Sequence, residues 1–473
     1  MAIINKQKSG LATRFLILLH HPLTLIAAIT FLAALLLYES MAPVKLSSAN
    51  FGTDGGDFLA AILTGGVPHP SGYPLYLIIS NLAQKYPSGT AVWKQVQLSI
   101  IPAALVVALM PALTWISQGR EQQARWPAEA ALAGICLLAA PLFWSQAVII
   151  EVYALNAFFV VLALLWLNLV QQCGTGTSRA WLAFLGMLAG VCGLGMGNHL
   201  TYMIIYPLVA YALAKALQGG VQKTWLIVWG LAWLSGGLTY LALPLRAAGH
   251  PPVNWGNPVD LKGLFWLVSG GGYEKLLFSI HLEEYVARSE AWAKLLLQQV
   301  GVFGLLAGVL GVFNAPVGRR QKLMTGVVFG SYSLLALGYR TNDSQVYLIP
   351  SVIIFILWVT WGIQFYWSKY WGRVSLGVTL AVLVGTNLLV DLPKRYAAVD
   401  PRNEDLAHYA EVTLANSPQG ETIYPQGDGK TFALWFYHFG LGIRPDVKVI
   451  SRDLLQYDWY RDGLRHTYPD LDE

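Results

Sequence analysis

Two aspartates three residues apart, Asp54 and Asp57, lie in Thr53-Asp54-Gly55-Gly56-Asp57, and a dozen residues on comes His69-Pro70-Ser71-Gly72-Tyr73-Pro74. Carboxylates and imidazole are the side chains that move protons near neutral pH, so these two segments carry the residue types of general acid–base catalysis. Charged residues make up only 12% of the 473-residue chain, which makes two acids within five positions a conspicuous use of them. A plainer reading stays open. Acids spaced i, i+3 ahead of the apolar stretch 58–63 also suit a helix N-cap and its partner, and a histidine between two prolines suits a turn.

Other polar residues invite the same double reading. Glu151 stands at the start of an apolar run as a structural group or a substrate contact. Asn198-His199 ends another run, to hydrogen-bond a helix terminus or to touch substrate. Arg246, just past Pro244, either snorkels to the interface or binds phosphate. Asn254-Trp255 follows it, and Arg340 with Asp343 comes later as a pair that either bind substrate or only each other.

What must position these residues is a membrane-embedded scaffold. Hydrophobic residues are 55% of the sequence, aromatics 12% with 18 Trp, and mean hydropathy is +0.49, beyond the range of an ordinary soluble domain. A hydrocarbon layer of about 30 Å needs roughly 20 apolar residues per crossing. Eleven runs qualify: 16–38, 91–116, 127–149, 152–170, 181–197, 202–217, 225–243, 295–313, 323–337, 346–365 and 374–390. The first follows Lys6, Lys8 and Arg14 but is too long for a signal-peptide core and lacks a small-residue cleavage site, so it reads as a span. With the N-terminus in the cytoplasm, Arg120, Arg125, Arg179, Lys215, Lys223, Arg319, Arg320, Lys322, Lys369 and Arg373 all fall inside, as the positive-inside bias requires. Asp54, Asp57, His69, Glu151, Asn198, His199, Arg246, Asn254, Arg340 and Asp343 then converge on the outer face, where costly ionisable groups are retained to pair or to line a functional cavity.

The sequence therefore predicts an α-helical polytopic membrane protein of about eleven spans over 1–391, with an acidic first outer loop (40–90) and a long outer loop (244–294). A small extracytoplasmic α/β domain follows over 392–473. From residue 393 onward nine Lys+Arg face thirteen Asp+Glu, and short strands at 421–424 and 447–451 flank a helix at 431–439. The overall charge of +5 reflects this topology and gives no sign of a nucleic-acid partner. Cys136, Cys173 and Cys192 lie in or beside spans and form neither a disulfide framework nor a metal spacing. Gly427-Asp428-Gly429-Lys430-Thr431 ends like a phosphate loop, but Tyr424 occupies the position of its first glycine. Asn342-Asp343-Ser344 satisfies the glycosylation sequon, a pattern common by chance.

The stretch 53–61 with Gly65-Gly66-Val67-Pro68-His69-Pro70-Ser71-Gly72-Tyr73-Pro74-Leu75-Tyr76 resembles the opening signature of the DUF2723 membrane family, whose relatives are regarded as protein O-mannosyltransferase-like. Glu151-Val152-Tyr153-Ala154-Leu155-Asn156, Gly197-Asn198-His199-Leu200-Thr201, Leu243-Pro244-Leu245-Arg246 and Pro252-Val253-Asn254-Trp255-Gly256-Asn257-Pro258 extend the likeness. So do Gly427-Asp428, Trp435-Phe436-Tyr437, Arg444-Pro445-Asp446-Val447 and Asp458-Trp459-Tyr460 in the tail. The resemblance covers most of the chain and implies a GT-C-like glycosyltransferase acting on a polyprenyl-phosphate-linked sugar donor. The order of span, acidic loop, His-Pro-x-Gly turn, short helix at 73–85 and second span is what such enzymes look like. Two departures stand out: the second acidic position, usually Glu, is Asp57, and the double proline after the histidine is Pro70-Ser71.

On that footing Asp54 is the expected general base for an inverting attack by an acceptor hydroxyl, mannose and protein Ser/Thr being the substrates the resemblance implies. One base suffices because a phosphate leaving group needs no acid, unlike the alkoxide of a glycosidase. Arg246, then Arg340, would balance charge on the lipid phosphate. His69, Tyr73 and Asp57 would shape the acceptor side, Asp57 holding Asp54 or a divalent cation, and Asn254-Trp255 would stack on sugar beside an interfacial helix at 261–269. The expected membrane is the bacterial inner membrane, or the endoplasmic reticulum in a eukaryote. A lipid-linked glycan flippase, or a catalytically inactive relative whose Asp54 merely caps a helix, are the alternatives.

Overall fold

The computed structural model describes residues 22–118, 128–172, 179–218, 224–369 and 376–471. Lys6, Lys8, Arg14, Arg120, Arg125, Cys173, Lys223 and Arg373 lie outside the described residues. Within hydrocarbon a backbone must satisfy its own N–H and C=O groups, so long apolar runs become helices. Seven helices among the described residues are long and apolar enough to cross a membrane: Pro22–Glu39, Ala91–Ser117, Tyr153–Gln171, Leu200–Gln218, Trp225–Ala247, Leu282–Asn314 and Ser344–Phe365. The bent pair Ala130–Leu138 and Pro141–Ala147, meeting at 65°, makes an eighth if it is one span. The other three apolar runs are also helical, as Arg179–Asn198, Arg319–Gly338 and Leu376–Val399. The first of these has a short apolar part, Leu182–Asn198. The second opens on Arg319, Arg320 and Lys322, and the third runs on through Asp391, Lys394 and Arg395. Length and hydropathy thus give seven or eight crossings where the apolar runs suggest eleven.

Burial separates the centre from the rim. In Ser344–Phe365 94% of the apolar window is buried, against 11% in Trp225–Ala247, so the first is the axis of the bundle and the second faces lipid. A helix that is apolar all round can occupy either position. Leu282–Asn314 packs along this axis so closely that a Cβ on Gly311 would lie 1.9 Å from the Trp358 carbonyl oxygen, the small-residue contact through which membrane helices approach without a hydrophobic drive. Two interruptions face each other beside it. The bend between Leu138 and Pro141 leaves the Ala139 carbonyl free, and Gly301, at φ 69°, breaks Leu282–Asn314. Buried Arg395 closes both, donating from Nη1 to the carbonyls of Ala139 at 2.7 Å and Gln299 at 3.1 Å, while Gln299 Oε1 accepts from the Leu142 N–H at 2.9 Å.

The extramembrane elements assemble over one end. The first loop forms the helices Gly55–Thr64 and Pro74–Gln84, the latter started by a proline, whose fixed φ and missing N–H suit the first turn. The long loop carries Leu261–Val268, capped by Asp260 on the Gly263 N–H at 2.7 Å, close to the expected 261–269. In the tail, Thr422–Ile423 and Lys448–Val449 pair in parallel, and the helix Asp428–Trp435 continues into a wider turn through Gly440. This tail is seated on the first loop. Ser48 N–H donates to Asp405 at 2.8 Å, Ala407 N–H to the Leu46 carbonyl at 3.2 Å, and the Asp428–Trp435 helix packs on Gly55–Thr64.

Candidate functional site

The site begins with how Gly55–Thr64 starts. Asp54 occupies the N-cap position at φ −84° and ψ −10° but makes no capping hydrogen bond. Its side chain therefore does not cap the helix, contrary to the capping reading. Thr53 Oγ1 donates to Asp54 Oδ1 at 3.2 Å, His69 Nε2 lies 3.5 Å from Oδ2, and 31% of the side chain stays exposed.

Asp57, one turn later, is fully buried. Its Oδ2 accepts from the His69 backbone N–H at 2.9 Å and from Nδ1–H at 2.8 Å, and Oδ1 accepts from the Trp255 indole N–H at 3.0 Å. Asp57 holds His69 and Trp255, where sequence reasoning had it hold Asp54 or a cation. Among the described residues no group of three or more His, Cys, Asp or Glu could hold a metal ion. On the other side of the ring, the Tyr73 hydroxyl lies 3.1 Å from the Pro70 carbonyl oxygen and 3.0 Å from His69 Nε2. His69 is thus set between two carboxylates, Asp57 at Nδ1 and Asp54 at Nε2.

The electrostatics agree. Burial opposes charge on His69, but Asp54 and Asp57 outweigh it and raise the imidazole above its ordinary value. Asp54 is pushed up to about 6, chiefly by burial, with His69 pulling it down and Asp57, Asp428 and Asp343 pushing it up. Its open edge means that enclosure by protein, with some water retained, is the cause. Glu151, buried with Oε2 accepting from the Val152 N–H at 3.3 Å, is raised well above the carboxylate range by burial and then by Asp54 and Asp343. His199 is held neutral, near 3, by burial and by the charge on His69. Its Nδ1 accepts from the Thr201 N–H at 3.2 Å.

A main-chain fastening brings the second loop to the first. Val67 N–H donates to the Val253 carbonyl at 2.9 Å and Trp255 N–H to the Val67 carbonyl at 3.1 Å. Only glycine fits beside this bridge at position 66, where a Cβ would lie 2.1 Å from the Val253 oxygen. Gly56 meets the tail in the same way, since a Cβ there would lie 2.4 Å from the Phe432 carbonyl. The double glycine between the aspartates is thus a seat for another segment.

The remaining candidates divide. Glu151, His199 and Asp343 share the electrostatic neighbourhood of Asp54 and His69. Arg246 does not present a free guanidinium: Nε donates to the Gly66 carbonyl at 2.6 Å and Nη2 to Ala61 at 2.9 Å. Arg340 pairs with Glu284 at 3.5 Å, not with Asp343. Trp255 is 6% exposed, too enclosed to stack on a sugar. Asn254 binds the Ala247 carbonyl at 3.3 Å and Asn257 at 2.9 Å, and Asn198 binds the Val152 carbonyl at 3.2 Å. Sequence reasoning missed Asp428 as a site residue, although Gly427-Asp428 was part of the quoted tail pattern. It also missed Tyr153 and Tyr347, whose rings lie 5.5 and 6.0 Å from His199, and Tyr347 had no signal at all.

Comparison with known proteins draws on both ends of this arrangement. Residues 54–218 match the family model of the Protein O-mannosyl-transferase TMEM260 N-terminal domain, and 406–470 match TMEM260-associated domain 2. The chain is similar to the TMEM260 proteins. Protein O-mannosyl-transferase TMEM260 of Mus musculus is 24% identical over 88% of this chain and 62% of its own, and the Dictyostelium discoideum protein of the same name 21% over 87% and 55%. The chain therefore spans about six-tenths of the length of these relatives. The matching models carry the TMEM260 designation, and they support the O-mannosyltransferase-like part of the resemblance. The fold is similar to those of solved membrane proteins: ArnT from Cupriavidus metallidurans, in a structure bound to undecaprenyl phosphate, superposes with a TM-score of 0.56 at 12% identity over 94% of this chain and 95% of that one. The Archaeoglobus fulgidus oligosaccharyltransferase in its apo form gives 0.57 at 13% over 91% and 65%.

Proposed function

We propose that the chain is a GT-C-type glycosyltransferase that moves a sugar from a polyprenyl-phosphate-linked donor to an acceptor hydroxyl on the outer membrane face, with Asp54 as general base. The observation that carries this reading is the state of Asp54. It is a partly exposed carboxylate that makes no capping bond to its helix and lies beside an imidazole held by Asp57. A base must be near the operating pH and within reach of a proton, and Asp54 meets the first condition at about 6.

In the proposed reaction the acceptor oxygen forms a bond to the anomeric carbon as the bond from that carbon to the phosphate oxygen breaks. Asp54 takes the hydroxyl proton, and the lipid phosphate leaves with the electron pair, its charge met by Arg340, the less tightly held of the two arginines first considered. Arg246 becomes a strut under the first loop. The names of the TMEM260 relatives favour mannose as the sugar and a protein hydroxyl as acceptor, and the fold shared with a protein crystallised on undecaprenyl phosphate suits a polyprenyl-phosphate donor. The same reading takes eleven crossings, the N-terminus in the cytoplasm of a bacterium and the tail beyond the outer face of the inner membrane.

A transport reading has one observation in its favour, the two interrupted helices, since transporters bind cargo at such breaks. Here Arg395 and Gln299 occupy the freed groups, so the breaks are filled by the protein itself. The deciding experiment replaces Asp54 with Asn in nanodiscs and follows sugar transfer from polyprenyl-phosphate mannose to a Ser/Thr peptide. Transfer at the unsubstituted rate would end the proposal, and lipid translocation without transfer would replace it with the transport reading.

A further inference from the structure

The tail touches the site at three points, and they share a direction. The carbonyl of Phe432 rests on Gly56, Gly429 lies against the Thr53 side chain, and the rings of Trp435 and Trp459 lie on Trp255, at centroid distances of 6.3 and 5.5 Å. Trp459 is itself fixed by Tyr457, stacked at 5.7 Å and 22°, and by Trp266 of the long loop at 5.7 Å. The indole N–H groups of Trp435 and Trp459 are buried without a partner, so these side chains act on their neighbours through their rings alone. Trp255 differs: its N–H is bonded to Asp57.

Trp255 therefore has its ring held by one segment and its single donor committed to another. An indole hemmed in by Trp459 tilted against it and by Trp435 edge-on to it is hindered from rotating its N–H away from the acceptor. If the grip is removed, the ring gains rotamer freedom and the bond to Asp57 Oδ1 is broken part of the time. A buried carboxylate short of one donor then re-orients toward whatever remains, which alters its hold on His69 Nδ1. The chain of contacts Trp459, Trp255, Asp57, His69, Asp54 runs without a gap from the far end of the sequence to the proposed base.

We propose that Trp459 and Trp435 of the C-terminal tail are positioning residues for the acidic loop, acting through the Trp255 indole to fix Asp57 and His69 and thereby to orient Asp54. The tail is on this account a working part of the transfer site and not an appended binding module. The inference rests on the glycosyl-transfer reading only for its kinetic readout.

The test uses the full chain in nanodiscs with Trp459→Leu, which keeps apolar volume but removes the broad ring, together with Trp459→Phe, Trp255→Phe and the Trp459→Leu/Trp255→Phe double variant. Nitrogen-15 labelled histidine, with His69→Gln to assign the signal, gives the titration of His69 directly. Trp459→Leu is expected to shift the His69 midpoint to higher pH, because Asp57, short of the Trp255 donor, turns its charge more fully onto His69 Nδ1, and Trp459→Phe to restore most of the original midpoint. With polyprenyl-phosphate mannose as donor, Trp459→Leu should lower kcat on the order of tenfold with donor KM little changed. The double variant should be no worse than Trp255→Phe alone. An unmoved His69 titration, or additive losses in the double variant, overturns the inference. Should Trp459→Leu fail to fold, Trp435→Leu replaces it, and the same shift is required. If the unsubstituted chain transfers no sugar, the glycosyl-transfer reading falls while the His69 titration still decides the positioning claim.

Discussion

The two sides of His69 are built on opposite principles. Toward Asp57 everything is closed: a fully buried carboxylate makes three hydrogen bonds, two to His69 and one to Trp255 of a distant loop. Toward Asp54 the same imidazole faces a carboxylate at 3.5 Å that is partly open, lightly bonded and pushed up by burial and then by the acids around it. Two identical side chains three residues apart thus hold different offices. A saturated carboxylate cannot take a proton without losing its partners, whereas an under-bonded one can. On the proposed reading the difference puts chemistry at Asp54 and rigidity at Asp57.

Breaking the open side should have the largest effect. Asp54→Asn is expected to lower sugar transfer by roughly 10²- to 10⁴-fold with stability little altered, measured as initial rate and as thermal unfolding in the same nanodiscs. Breaking the closed side should reverse the weighting. Asp57→Asn leaves His69 without its balancing charge and is expected to cost about 3 kcal/mol of stability, read as a drop in unfolding midpoint, with a smaller loss of transfer than Asp54→Asn.

The pH dependence sharpens the contrast. Asp54 is raised above its ordinary value to about 6 and serves as a base only when ionised, so transfer should rise with pH through about 6 and level off above it. Asp343 contributes to that rise. In Asp343→Asn the acid limb of the profile should therefore move to lower pH, and an unmoved or upward-moving limb would contradict the arrangement. The smallest effects are expected at the arginines. Arg246→Gln loses bonds to two carbonyls and should lower stability by about 1 to 3 kcal/mol while leaving donor KM unchanged, whereas Arg340→Gln should raise donor KM and leave stability unchanged.

Much of this was legible in residue order. The spacing of Asp54, Asp57 and His69, the apolar runs, the short helix after Tyr73 and the short strands of the tail are local patterns, set by side-chain period and turn chemistry. The partners were not legible. That Gly56 seats Phe432, that Trp255 turns inward to Asp57, and that Arg340 meets Glu284 are contacts between segments up to several hundred residues apart. Such contacts follow from packing, and no periodicity encodes them. The helix Leu282–Asn314 shows the same limit locally: its first turns carry Glu283, Glu284, Arg288 and Glu290, so a search for apolar runs finds only its second half.

The bridge between Val67 and Asn254 has a consequence for remodelling the protein. Because two loops nearly two hundred residues apart are joined by main-chain hydrogen bonds, they behave as a single graft unit. An insertion or deletion of one residue between Arg246 and Trp255 would therefore carry the indole off Asp57, whatever sequence the loop beyond Asn257 carried.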